Sequence, residues 1–217
     1  MGTTSSQRLI LASGSLGRRY LLDKAGYTFE VMPSNVDEPE GHGVTDPRAF
    51  VQQVAWSKAA AVAPRVDQGL ILAADTIGWL NGQIIGKPND QADARRILQT
   101  LGGNVHELWT GVVLWQRPSN VQLAWQEVSR VFFKKLTDAD LDNYLATRTW
   151  EGCSGAYAIK ELDDPFVQIL EGSLSNVIGL PMATLEKLLG WLEERGQGTG
   201  VRGQGEDLKP TDCRPWP

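Results

Sequence analysis

The spacing of apolar residues along the chain changes several times, and each change predicts an element. Residues 8–13 (RLILAS) form a short apolar burst that opens into Ser-Gly-Ser-Leu-Gly-Arg-Arg. Leu21, Leu22 and Ala25 then share one helical face until Gly26 stops it. Residues 27–32 read as a second strand ended by Pro33, and the acid-, Gly- and Pro-rich stretch 37–47 reads as loop. Asp46-Pro47 has the form of an N-cap with proline at the first helical position, opening a helix over 47–62. Residues 70–74 (LILAA) are continuously apolar, the pattern of a strand buried on both faces, and they run directly into Asp75-Thr76. Asn81-Gly82 predicts a tight turn between strands 77–80 and 83–85.

Farther on, Ala94, Ile97, Leu98 and Leu101 form the apolar stripe of a helix over 90–101, closed by Gly102-Gly103. Strands are expected over 105–116 and 121–134, and a helix carrying Leu141, Tyr144 and Leu145 starts at Thr137. The stretch 152–179 is irregular, with strands at 156–159 and 166–170, and 180–194 is a last amphipathic helix with Leu185, Leu188, Leu189 and Leu192 inward. From Gly196 the composition shifts to Gly, mixed charge and Pro. The chain therefore divides into a domain over 8–195 and a Gly/Pro-rich tail over 196–217.

Composition narrows the classes of partner. With 21 Lys and Arg against 26 Asp and Glu, the net charge of −5 argues against stable nucleic-acid binding. Two cysteines sixty residues apart, Cys153 and Cys213, form neither a disulfide scaffold nor a structural zinc site. Without an apolar run of roughly 18 residues or a signal-peptide pattern, the expectation is no membrane span and a cytoplasmic location.

Three places carry candidate chemistry. Ser13, Ser15, Arg18 and Arg19 lie at a strand-to-helix junction, where hydroxyls, backbone N–H groups and guanidiniums either bind a phosphate or form an ordinary serine cap before a solvated arginine pair. Asp75, at the expected carboxyl end of the buried strand, either lies in a ligand crevice, able to hold a divalent metal or activate water, or caps the following turn. Lys87, held between Gly86 and Pro88, either points a charge into a site or is simply exposed. The text match Gly198-Thr-Gly200-Val-Arg-Gly203 follows a helix rather than a strand and is no dinucleotide site. His106 reads as structural.

Six stretches in order resemble the Maf family of nucleotide pyrophosphatases. They are Leu11-Ala-Ser13-Gly-Ser15-Leu-Gly-Arg18-Arg19 before Leu21-Leu22, Val36-Asp37-Glu38 with Ser57-Lys58-Ala59, Ala74-Asp75-Thr76 with Gly86-Lys87-Pro88, Leu101-Gly-Gly103…His106…Thr110-Gly111-Val112, Gly155-Ala-Tyr157, and Val177-Ile-Gly179-Leu-Pro181. The resemblance covers about residues 8–193. It implies an elongated α/β fold of the inosine-triphosphate pyrophosphatase kind, a mixed sheet flanked by helices with two lobes around a central cleft.

It also implies hydrolysis of a nucleoside triphosphate to monophosphate and pyrophosphate with Mg2+ or Mn2+, and a homodimer as the family's assembly. Asp75 would be the catalytic base or metal-linked carboxylate and Glu38 a metal ligand, while Ser13, Ser15, Arg18, Lys58 and Lys87 would hold the phosphates. Leu16 and Gly17 replace the family's proline and its branch-specific arginine or tryptophan. Lys160 stands at a later specificity position, and Thr76 agrees with the branch that prefers dTTP and UTP, so the implied substrate is a pyrimidine (dTTP, UTP, CTP) or modified nucleotide. The departures at 16 and 17 also motivate an alternative, a weakly catalytic nucleotide-binding regulator linked to septum formation and cell division.

Overall fold

The computed structural model describes residues 8–39, 41–157 and 166–197. Of the described residues, those up to Met182 form one compact unit, and those from Ala183 to Gln197 belong to a second. In the first, β1 (Leu9–Leu11), α1 (Leu16–Lys24) and β2 (Phe29–Val31) make a parallel strand-helix-strand unit. β1 also pairs in parallel with β3 (Gly69–Leu80). From β3 onward the pairing is antiparallel: β4 (Gln83–Ile85) folds back on β3, and β5 (Val105–Arg117), β6 (Gln122–Phe133) and β7 (Val167–Glu171) follow. The result is a mixed seven-stranded sheet in the order β2-β1-β3-β5-β6-β7, with β4 beside β3.

Helices cover the sheet because their apolar stripes match its two faces. From α2 (Pro47–Val62), Ala55, Ala59 and Val62 pack with Ile10, Ala12, Ile71, Ala73 and Val113. A second cluster joins Ala94, Ile97, Leu98 and Leu101 of α3 (Gln91–Leu101) to Leu141 and Leu145 of α4 (Asp138–Ala146), with Leu80, Val131 and Phe133 beneath. Strand alternation puts this cluster on the sheet face opposite α2. The helix starts anticipated from sequence are present. Asp46 accepts from the backbone N–H groups of Arg48 and Ala49, and Thr137 and Asp140 form a reciprocal capping box.

Gly111 sets how close α2 comes to the sheet. A Cβ there would lie 2.5 Å from the backbone carbonyl carbon and oxygen of Val51, so the helix backbone rests directly on β5. The partner of Gly111 across the ladder is Asp75. Helix α2 is thus seated where it can reach that residue.

Three expectations need correction. The strand over 70–74 does not end at Asp75; it continues through Thr76 to Leu80 as one strand of 12 residues. An unbroken antiparallel register with β5 carries it past Asp75, so that residue lies neither in a crevice beyond a strand end nor at a turn. Second, Ser154–Ala156 is a 3-10 turn rather than the start of a strand, with Gly155 at φ 76° and Ala156 at φ 55°. Residues 158 and 159 of that expected strand lie outside the described residues.

Third, the irregular stretch contains a short helix, α5 (Leu174–Ile178), capped by Ser173 and closed by Gly179 in the left-handed region at φ 119°. In the second unit, α6 (Met182–Gln197) buries Leu185 and Leu192, and Arg195 stacks its guanidinium over Trp191 at 4.1 Å. Among the described residues no helix is long and apolar enough to cross a membrane.

Gly111→Ala is expected to cost about 2 kcal/mol, because the methyl meets helix backbone that cannot step aside. Urea unfolding measures this, and an unchanged midpoint would show that α2 can slide outward.

Candidate active site

The sheet brings the sequence-nominated residues into two networks that meet at one dipeptide. On the α2 face, Lys58 is buried and its Nζ donates to Asp75 Oδ1 and to Glu38 Oε1, each at 2.7 Å. Lys87 Nζ donates to the second oxygen of Glu38, Oε2, at 3.3 Å. Glu38 and Lys87 are about half exposed, whereas Lys58 and Asp75 are enclosed. The cluster therefore has a closed end under α2 and an open end toward solvent.

On the opposite face, Thr76 and the buried Arg18 organise a second network. Arg18 Nε donates to the Gly179 carbonyl at 2.8 Å, Nη1 to Ser13 Oγ at 3.0 Å and Nη2 to Thr76 Oγ1 at 3.1 Å. Ser13 Oγ also accepts from the Ser15 N–H, and Ser15 Oγ caps α1 by accepting from the Arg18 N–H. Ser15 is thus an N-cap, but Arg18 is not the solvated residue that reading implied. Its terminal nitrogens each carry a second hydrogen that can meet an anion.

Burial draws the Arg18 guanidinium below its ordinary pKa, and the negative charges of Asp75 and Glu38 oppose that shift across the strand. The arginine stays charged, and the two networks share one electrostatic field. For Glu38, burial by itself favours the neutral acid. Hydrogen bonding and charge from Lys58, with a smaller contribution from Lys87, outweigh that effect and hold its carboxyl below the usual range.

Glu38 and Asp75 already converge on a single cation, the Lys58 ammonium. Among the described residues no three His, Cys, Asp or Glu side chains come together as an all-protein cage. Two converging carboxylates with one open side fit a magnesium-class ion, which completes its shell with water and substrate oxygens.

Gly17 packs against α5: a Cβ there would lie 2.9 Å from Ile178 Cγ2 and 3.1 Å from the Ile178 carbonyl oxygen. Its bare backbone permits the close contact of α1 with α5, and Leu16 beside it is 78% exposed. Lys160 lies outside the described residues.

Sequence reasoning missed the residues beneath Thr76. Thr76 Oγ1 pairs with Thr110 Oγ1 at 3.0 Å, and Thr110 donates to the Asn176 carbonyl at 3.2 Å. Asn176 Nδ2 in turn donates to Ser129 Oγ at 2.9 Å and to the Leu108 carbonyl at 3.2 Å. Thr110, Ser129 and Asn176 are fully buried. Only the spacing Ser173-x-x-Asn176 hinted at a helix start there; the burial of Asn176 depends on β5 and β6.

The model of the family described as Maf-like protein matches residues 8–192 of the chain. The chain is 40% identical over 183 residues to a dTTP/UTP pyrophosphatase of Pelotomaculum thermopropionicum, covering 84% of this chain and 95% of that protein. It is 45% identical over 185 residues to a dTTP/UTP pyrophosphatase of an Anaeromyxobacter species, covering 84% and 88%. The solved structure of the Staphylococcus aureus Ham1 protein shares the fold, with a TM-score of 0.50 and 14% identity over 88% of this chain and 100% of that one.

Burial also makes the protein sensitive to pH at His106, whose imidazole is pushed down to about 4 from an ordinary 6.5. The unfolded chain binds that proton more readily, so stability is full above pH 6.5 and falls as pH drops toward 4. His106→Asn is expected to abolish about 2 kcal/mol of the stability lost between pH 6.5 and pH 5. Urea titrations of both proteins at the two pH values measure it, and identical slopes would contradict it.

Proposed function

The chain belongs to the Maf family, and on that premise we propose that it hydrolyses pyrimidine nucleoside triphosphates to monophosphate and pyrophosphate, using Mg2+ or Mn2+. The observation that carries this reading is the convergence of Glu38 Oε1 and Asp75 Oδ1 on Lys58, with Lys87 at the exposed rim. Carboxylates beside fixed cations are the mixture that a metal-bound triphosphate requires. The named relatives act on dTTP and UTP, and Thr76 belongs with that preference.

In this reading water attacks the α-phosphorus, an oxygen–phosphorus bond forms, the bridge to the β-phosphorus breaks, and pyrophosphate leaves with the bridging oxygen. Asp75 orients the water and accepts its proton, and Lys58 keeps that carboxylate in place. Glu38 and Asp75 would hold the divalent ion. When bound, the ion supplies positive charge for the triphosphate oxygens and the departing pyrophosphate. Lys87 at the rim, together with the second hydrogens on the Arg18 terminal nitrogens, faces the remaining phosphate charge. Ser13 and Ser15 join Arg18 in that role at the start of α1. Most of the rate enhancement is then electrostatic, from charges positioned before substrate arrives.

Purified protein is expected to release pyrophosphate from dTTP, UTP or CTP with Mg2+ or Mn2+, and to stop when EDTA is added. Asp75→Asn is expected to lower kcat at least about a hundredfold. Absence of pyrophosphate from every nucleotide with either metal would end the enzymatic reading. Thermal stabilisation by nucleotides without turnover would favour a nucleotide-binding regulator instead.

A further inference from the structure

A hydrogen-bonded circuit holds Arg18, and the order of its protons is fixed. Arg18 Nη2 donates to Thr76 Oγ1 at 3.1 Å, so that oxygen accepts from the guanidinium. Thr110 Oγ1 lies 3.0 Å from Thr76 Oγ1 and 3.2 Å from the Asn176 carbonyl, a group that can only accept. A threonine hydroxyl carries one hydrogen, and Thr110 places its own on that carbonyl. Between the two threonines, Thr76 is therefore the donor and Thr110 the acceptor. Donation runs one way, from the guanidinium through Thr76 and Thr110 to the main chain of α5.

The circuit closes on itself. The same Asn176 carbonyl accepts from the Gly179 N–H at 3.0 Å, and the Gly179 carbonyl accepts from Arg18 Nε at 2.8 Å. Two nitrogens of one planar guanidinium are thus tied to β3 and to the residue after α5, which fixes the plane. Gly179 leaves room for the ring: a Cβ there would lie 3.2 Å from Thr76 Oγ1 and 3.5 Å from Arg18 Nε. Thr76 is partly buried, whereas Thr110 is fully buried and acts only through these contacts. Without the Thr110 hydroxyl the Thr76 proton loses its acceptor, and the Thr76 oxygen is free to turn away from Arg18.

We propose that Thr110 is a positioning residue for triphosphate binding. By fixing the direction of the Thr76 hydroxyl, it holds Arg18 with its remaining Nη hydrogens available to phosphate oxygens. The same order leaves Thr76 only an acceptor toward any ligand. The inference rests on the nucleotide reading above, and Thr110 acts through Arg18 without touching substrate itself.

Calorimetric titration with inorganic tripolyphosphate and Mg2+, and with the α,β-imido analogue of dUTP, measures this. Thr110→Val is expected to weaken both ligands about tenfold, the worth of one buried hydrogen bond, and Thr110→Ser, which keeps the hydroxyl, by no more than about twofold. In an Arg18→Met background the valine substitution is expected to change affinity by less than about twofold, because the group it positions is gone. If Thr110→Val does not fold, Thr110→Ala goes through the same cycle.

An equal loss in the Arg18→Met background, a serine variant as weak as the valine, or unchanged affinity in Thr110→Val would overturn the assignment and make Thr110 a packing residue. Wild-type protein that binds and hydrolyses nucleotides alongside any of those results removes this inference alone. Wild-type protein that neither binds nor hydrolyses nucleotides removes the functional reading and the inference with it.

Discussion

A lysine ammonium enclosed beneath a helix is stable only where carboxylates meet it, and Lys58 meets two of them at 2.7 Å. The geometry of the site follows from that requirement. Asp75 must sit on the face of β3 that looks at α2, and α2 must lie close enough for Lys58 to reach it. Gly111, opposite Asp75 in the ladder, permits the approach by presenting no side chain to the helix backbone. Glu38 completes the arrangement from the loop after β2, and its exposed side leaves the cluster one open edge.

Because neighbouring residues of a strand point to opposite faces, Asp75 and Thr76 join two polar networks through one peptide bond. Arg18 braces the second by bonding to Ser13 beside its own helix, to Thr76 on the sheet and to the Gly179 carbonyl after α5. Below it, Thr110, Asn176 and Ser129 are joined by hydrogen bonds in full burial, with Asn176 Oδ1 left unpaired, which makes the position of α5 part of the position of the guanidinium. Such a network is rigid because moving any member strands a buried polar group. Rigidity of that kind suits electrostatic catalysis, where the charges have to be in place before the substrate's charge develops.

Much of this was legible residue by residue. The caps at Asp46 and Thr137, the Asn81-Gly82 turn and the stripe of α3 are local features, decided by groups within a few residues of each other. Ser13, Ser15, Arg18, Glu38, Lys58, Asp75 and Lys87 stand out by residue type and motif alone, and they fall into the two networks. A polar pair after an apolar run resembles a stop, so the local pattern ends the strand at Asp75, where the structure does not. The register with β5, more than thirty residues away, carries the strand through it. Asn176 and Ser129 escaped notice for the same reason: Ser and Asn are ordinary surface residues until a neighbouring strand encloses them.

The sequence by itself determined the α/β class, most element boundaries and the residue types of the site, because helix caps, turns and apolar periodicity are short-range physics. Tertiary structure decided which face each residue serves. It turned one continuous strand into the shared wall of two networks, placed Gly111 where a helix backbone needed room, and buried His106 with an unpartnered nitrogen. These outcomes depend on pairing between strands and helices distant in the chain, whose register and closeness no local pattern encodes.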